Sequence, residues 1–429
     1  MQKTIDRNPI VRIAVRHLLS KKKQTLVAVL GVTFGIAAFI FQAGIITGIQ
    51  SFFKDRTIEL SAHIHLFKAN QTVKESILER SYSQEDTAKM KQWLVVNNQK
   101  NLEESPRIRN GYQIIKALEE DEDVLGATPF LGLQIIIRAG LTQTGARAAG
   151  IDVDRENFLF NVQKYMKTGD INQLKTIGNG IVLGAGLADN LGAKLNDFVV
   201  VSSPKGVTLE MKVVGINRTG ITSLDDTRAY ITISNAQKLL LADGAYITDI
   251  NIKIKDLERA AELAEVYQRR YNYKAEDWIK ANEGIFTIFK LQNMAIYMVI
   301  TSIMLVAGFG IFNILTMIIY EKMPDIAILK AVGYTDRDIK AIFLTESVFI
   351  GFCGGILGLL LGFGLSKLIS NIPVNVNKGI LAFEYLMINF NPWFYVTAFV
   401  LGLLVTALAG YFPAKKASQV DPINIIRGK

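Results

Sequence analysis

The sequence predicts an α-helical membrane protein with four transmembrane helices and a large extracytoplasmic α+β domain inserted between the first and second. Three observations carry this prediction. Four stretches, residues 25–49, 294–319, 342–366 and 392–412, are apolar enough to cross a hydrocarbon core, which needs about 20 mainly apolar residues. The segment between the first two, residues 50–293, has no such run and alternates between strand and helix patterns. Basic residues gather at the two chain ends, where Lys and Arg are retained on the cytoplasmic side.

In chain order, residues 1–24 come first and hold Lys3, Arg7, Arg12, Arg16, Lys21, Lys22 and Lys23 against Asp6 alone. The tail, residues 413–429, holds Lys415, Lys416, Arg427 and Lys429 against Asp421. Together the two ends account for the whole formal charge of +9. The basic balance is therefore a topology signal and gives no support to nucleic-acid binding. It places both termini and the loop 320–341 in the cytoplasm, and the large domain and the short loop 367–391 outside, as in a multi-pass membrane protein. The first apolar stretch reads as a retained anchor, because it exceeds the ~7–15 residues of a signal-peptide core. A composition of 50% hydrophobic and 20% charged residues fits a chain divided between lipid and water. A single cysteine, Cys353, excludes an internal disulfide and a thiolate metal cluster.

The outer segment is long enough to bury its own core. Strand-like runs recur in "AHIHLF", "LQIIIRA", "FVVVSS", "MKVVGI", "AYITI" and "DINIKI". Helical patterns lie in "GYQIIKALEED" and in "DLERAAELAEVYQRRY", which opens on an acid suited to a helix start. The pattern predicts two α+β subregions, one built from both ends of the segment and an inner insert near 150–220. Residues 68–109 are polar and rich in Gln, Glu, Lys and Asn, and read as a solvated insertion or, alternatively, as a partner-docking arm or lid.

Candidates for chemistry are few. His63 and His65 alternate on an expected strand and so share a face, yet no neighbouring acid or third His completes a metal site. "GLADNLGAK" lacks the spacing of a phosphate loop. Asp225 and Asp226 are adjacent and fit a turn better than an acid/base pair. No nucleophile motif, zinc motif or Cys/His dyad is present, so no catalytic, metal or cofactor-binding residues are assigned. Glu346 lies within the third apolar stretch, where an acid is a functional candidate unless it reaches the interface. Gly351, Gly355, Gly358 and Gly362 recur at helical spacing in the same stretch, as do Gly31/Gly35 and Gly44/Gly48 in the first. Small residues so spaced mark helix-packing seams, within the chain or between two chains.

The loop "YEKMPDIAILKAVGYTDRDIK" carries its own start and stop signals. Pro324 and Asp325 suit a first helical turn, Lys330 a last turn and Gly333 a stop, predicting a helix over 324–332. Thr335 with Asp338 forms a capping-box pair that can open the third span. A helix this short is unstable alone, so Ile326, Ile328, Leu329 and Val332 must pack on the bundle, on the membrane or on a cytoplasmic partner.

"EKMPDIAILKAVGYTDRDIKAIFLTESVFIGFCGGILG" and "FPAKKASQVDPINIIRG" resemble the signatures of the MacB/FtsX-type ABC transporter permeases. "ITGIQSFFKDRTIELSAHIHLF", "RAAGIDVDRE" and "GIVLGAGLADNLGAKLNDFVVVSSPKG" are most similar to the lipoprotein-releasing LolC/LolE branch. The resemblance implies a non-catalytic permease subunit that binds no cofactor itself, paired with a second permease chain as a homodimer or paralogous heterodimer. It further implies two copies of an ABC ATPase subunit, which binds ATP and Mg. That ATPase would engage the loop at the positions of Glu321, Pro324, Asp325, Ile326, Leu329, Lys330 and Gly333. The substrate implied is an amphipathic molecule taken from membrane lipid, foremost a lipoprotein released from the inner membrane. MacB-like export of drugs, peptides or glycolipids, and FtsX-like signalling to a cell-wall hydrolase, are the alternatives.

Overall fold

The computed structural model describes residues 9–69, 106–376 and 383–419. The chain divides into two compact units: Met1–Phe52 with Ile285–Asn375 and Phe383–Lys429, and Phe53–Gly284 with Val376–Ala382. The polar segment at residues 68–109 falls mostly outside the described residues.

Among the described residues four helices are long and apolar enough to cross a membrane: Lys22–Leu60, Glu283–Glu321, Asp336–Ser370 and Pro392–Ser418, the first to fourth long helices. All four run beyond the apolar stretches that mark them in the sequence. Asn391 starts the fourth by accepting a hydrogen bond from the Trp393 N–H at 3.0 Å, with Pro392 in the first turn. In the first unit, Val32, Ile36, Ile40, Ile300, Leu315 and Ile350 form the buried core of the bundle.

Glycines set how closely these helices pack. The glycines of the third helix form two rows. A Cβ on Gly351 would meet Thr406 Oγ1 at 2.1 Å and one on Gly355 would meet Phe399 at 2.7 Å, so this row faces the fourth helix. A Cβ on Gly354, Gly358 or Gly362 would instead press on Val32, Ile36 or Ile40 of the first. Gly44 and Gly48 pack against an extended segment, not a helix: the Asn389 N–H donates to the Gly44 carbonyl at 2.9 Å, and a Gly48 Cβ would lie 2.1 Å from the Met387 carbonyl oxygen. Gly35 meets Ile303 of the second helix, whereas Gly31 faces open space.

The second unit is built on one ten-stranded sheet. Its strands are β1 Ile64–Phe67, β2 Val124–Ala139, β3 Thr142–Ile151, β4 Met166–Gly169, β5 Gly180–Gly184, β6 Phe198–Ser202, β7 Thr208–Asn217, β8 Arg228–Thr232, β9 Asp249–Ile254 and β10 Lys274–Asp277. They run in the order β10-β1-β9-β2-β3-β8-β5-β7-β4, with β6 bridging β2 and β7. The two subregions expected from sequence therefore share one continuous sheet, because β2 is long enough to pair with β9, β3 and β6 together. Leu131, Ile137, Val199, Val201, Met211 and Val213 are fully buried in one core cluster, each such side chain stabilising by roughly 2 kcal/mol. A second cluster gathers Ile151, Leu159, Phe160, Ile171, Val182 and Val214. Helices Gly111–Glu119 and Ala260–Tyr271 form where the sequence predicts them, the latter behind a short 3-10 turn whose Asp256 caps the Glu258 N–H.

Candidate functional site

At the base of the first unit, the helix Pro9–Ser20 places Ile10, Ile13, Ala14, His17 and Leu18 along one stripe, the spacing of a helix that buries one face. Ala14 packs in a compact cluster with Ile319, Ile326, Ile339, Ile342, Phe343, Ala414 and Ala417. This cluster is the platform on which the short loop helix rests.

That helix spans Met323–Ala331, one residue earlier at each end than the sequence predicts, with Pro324 in its first turn. Gly333 follows at φ +109°, a backbone conformation that glycine adopts without strain. The Thr335/Asp338 capping box forms in both directions and opens the third long helix. Ile326 and Ala327 are buried and Leu329 is half-buried against the platform. Lys330 donates to the Ser418 carbonyl at 2.6 Å and pairs with Asp336 at 2.8 Å. Glu321 is paired with Lys21.

The residues expected to meet a partner thus separate into two groups. Ile326, Leu329 and Lys330 face inward and anchor the helix. Pro324, Asp325, Ile328, Ala331 and Val332 are exposed and recur at helical spacing, forming one solvent-facing ridge. Ile328 is 58% exposed and Val332 76%. Exposed apolar side chains on a helix held so firmly from behind make a surface fit for docking.

Glu346 is wholly buried within the chain. His17 meets it, with Nδ1 2.8 Å from Glu346 Oε1. His17 is not among the residues expected from sequence, although the stripe that includes it was legible: a titratable group follows the apolar Ala14 and Ile13 by three and four residues.

In the second unit, the two histidines do not converge. His63 precedes β1, is buried, and its Nδ1 accepts from the Ile254 N–H at 3.3 Å; burial holds its pKa below the usual value. His65 pairs across the sheet with Asp249, Nε2 to Oδ1 at 2.8 Å, a partner that only strand register supplies. Asp225 ends the short helix Thr222–Asp225 and accepts from the Thr219 N–H at 2.8 Å, the Thr219 hydroxyl at 2.7 Å and the Gly220 N–H at 3.1 Å, fixing the loop before it. Burial raises its pKa, opposed by those hydrogen bonds. Residues 186–191 lie in the helix Ala185–Leu191, which is closed by Gly192 at φ +66°. Among the described residues no group of three His, Cys, Asp or Glu side chains can hold a metal ion.

Comparison with known proteins accounts for both halves of the chain. Residues 25–269 match the MacB-like periplasmic core domain and residues 297–422 the FtsX-like permease C-terminal family. The lipoprotein-releasing system transmembrane protein LolC of Xylella fastidiosa is 23% identical, the alignment covering 98% of this chain and 99% of that protein. An uncharacterised ABC transporter permease of Methanocaldococcus jannaschii is 25% identical over the full length of both chains. The macrolide export ATP-binding/permease protein MacB of Bdellovibrio bacteriovorus is 27% identical over 47% of this chain and 31% of its own length. With more than half the chain matched by the periplasmic core and most of the remainder by the permease region, the protein belongs to the MacB/FtsX family of ABC transporter permeases.

Proposed function

We propose that this chain is a permease subunit that couples ATP hydrolysis by a separate ATPase to motion of a domain standing outside the membrane between the first and second spans, and so releases lipoproteins from the inner membrane. The observation that carries the reading is the exposed ridge of Asp325, Ile328 and Val332 on a helix anchored by Ile326 and Lys330. Two ATPase subunits closing on ATP would push the short helices of two permease chains together, and the platform behind each helix would transmit that push to the bundle. No nucleotide is handled by this chain in the proposal. The lipoprotein substrate is supported by the relatives that match end to end, whereas the macrolide exporter matches only in part. Termini in the cytoplasm and a paired permease chain, identical or paralogous, complete the proposed assembly.

The test is purification of the tagged full chain from its own membranes in gentle detergent, with mass spectrometry of retained proteins and acylated chains. An ABC ATPase and acylated proteins are expected with the wild type, and Ile328→Arg should reduce ATPase recovery at least tenfold without reducing the yield of the permease. Full ATPase recovery with Ile328→Arg would overturn the coupling surface. A periplasmic adaptor or a cell-wall hydrolase in place of acylated chains would replace lipoprotein release with export or signalling.

A further inference from the structure

The sheet of the second unit carries a concave polar face that coupling does not use. Strand register sets Gln134 on β2 opposite Arg147 on β3, and Arg147 opposite Arg228 on β8. Side chains directly opposite on neighbouring strands share a face, so these three form one row. The row lines a cavity of about 630 Å³, closed on one side by Glu156 and Phe160 of the helix Val153–Phe160, within the size range of small-molecule sites.

The charges in this cavity are unbalanced. Arg147 and Arg228 hold directly opposed register positions on neighbouring strands, like charges that destabilise a sheet unless something compensates them, and the Arg228 guanidinium lies over the Tyr230 ring. Among the described residues neither Arg147 nor Arg228 has a carboxylate within ion-pair distance. Asp249 is occupied by His65 and by the Thr248 hydroxyl, and Asp225 by Thr219 and Gly220. Glu156 is 6% exposed and its Oε2 has no hydrogen-bond partner among the described residues. Burial pushes its carboxyl up to about 8, so at neutral pH it is an uncharged acid, able to donate a proton to an acceptor and unable to cancel Arg228.

We propose that this cavity binds a phosphate-ester anion, gripped by the guanidinium groups of Arg147 and Arg228, with Gln134 and Asn251 available to its remaining oxygens. Planar guanidinium groups match phosphate oxygens two at a time, and the amide side chains suit the ester and hydroxyl oxygens attached to such a group. The phosphate chemistry is common to a lipid headgroup and to a soluble ester. Leu60–Ala62 and Ala281–Asn282, which also line the cavity, lie at the ends of the chain segments leading to the first and second long helices.

Calorimetric titration of the full chain in a neutral maltoside detergent tests the site and separates the sources. The probes are inorganic phosphate, glycerol 3-phosphate, and dihexanoyl phosphatidylglycerol kept below its micelle concentration, with dihexanoyl phosphatidylcholine as the zwitterionic comparison. Saturable binding of phosphatidylglycerol alone assigns the site to a headgroup, and equal binding of glycerol 3-phosphate or phosphate assigns it to a soluble ester. In either case Arg147→Gln, at an exposed position that leaves folding intact, should weaken binding about tenfold, and Arg147→Lys/Arg228→Lys, which keeps the charge without the fork, should also weaken it. Lys167→Gln/Lys205→Gln removes charge elsewhere on the same unit and should change nothing. Absence of binding by every anionic probe, or Arg147→Gln binding as tightly as wild type, would overturn the proposal.

Discussion

Each unit buries one glutamate, and the two are accommodated by different physics. Glu346 in the third long helix is 0% exposed and receives His17 from a helix 329 residues earlier in the chain. Glu156 in the sheet unit is 6% exposed and has no comparable partner; desolvation keeps it protonated instead. A buried acid is tolerated either by supplying a complementary group or by withholding the charge. The first solution ties two elements together, and the second leaves a neutral donor beside two arginines.

The largest expected effect comes from breaking the first solution. His17→Ala should lower stability of the helical unit by about 3 kcal/mol, the scale for a buried carboxylate left without its partner, and Glu346→Gln in the same background should recover part of it. Thermal unfolding in detergent with a helix-specific readout checks this; equal stability of wild type and His17→Ala would mean that the pair carries no strain. Sharpening the second solution comes next. Burial pushes the Glu156 carboxyl from the ordinary 4.5 up to about 8, so its favourable contribution is complete below the unfolded value and is lost as pH rises toward 8. Each pH unit across that window changes stability by about 1.4 kcal/mol. Glu156→Gln should remove this slope, so that the variant matches wild type near pH 5 and unfolds later than wild type near pH 8. Coincident pH profiles of the two proteins would show that Glu156 is ionised in the fold. A smaller effect tests the setting of Glu346. Gly358→Ala puts a Cβ 2.8 Å from Ile36 Cβ and 3.0 Å from the Thr33 carbonyl oxygen, and should destabilise by about 2 kcal/mol through overpacking, read as a lower melting temperature. The same change at Gly364, whose Cβ would meet nothing within 4 Å, should be close to neutral.

The same contrast explains what the sequence could disclose. Features set by neighbours in the chain were legible: the strand-like runs "FVVVSS" and "DINIKI" lie in β6 and β9, and Pro324, Gly333 and the Thr335/Asp338 pair mark the helix ends they were expected to mark. Features set by distant partners were not. Glu156 stands in a short helix whose first turn also holds Asp154, and locally it reads as a solvated acid. Arg147 and Arg228 become neighbours only through the parallel pairing of β3 with β8. The inward turn of Ile326 beside the outward turn of Ile328 follows from a platform to which the N-terminal, third and fourth helices all contribute. Local chemistry gives element ends; which face of a short helix is free depends on what lies behind it.

The two glycine rows of the third long helix also bear on how motion spreads. Where a helix meets both neighbours through glycine backbone, its own side of the contact has no rotamers to rearrange when one neighbour is displaced. Gly351 and Gly355 against the Thr406 and Phe399 side chains, and Gly354, Gly358 and Gly362 against those of Val32, Ile36 and Ile40, are contacts of this kind. A shift imposed near Thr335, at the start of this helix, cannot be absorbed by the helix's own side chains at these positions. It must reappear as sliding of the whole helix past its neighbours or as their displacement with it, which makes the third helix a stiff strut within the bundle.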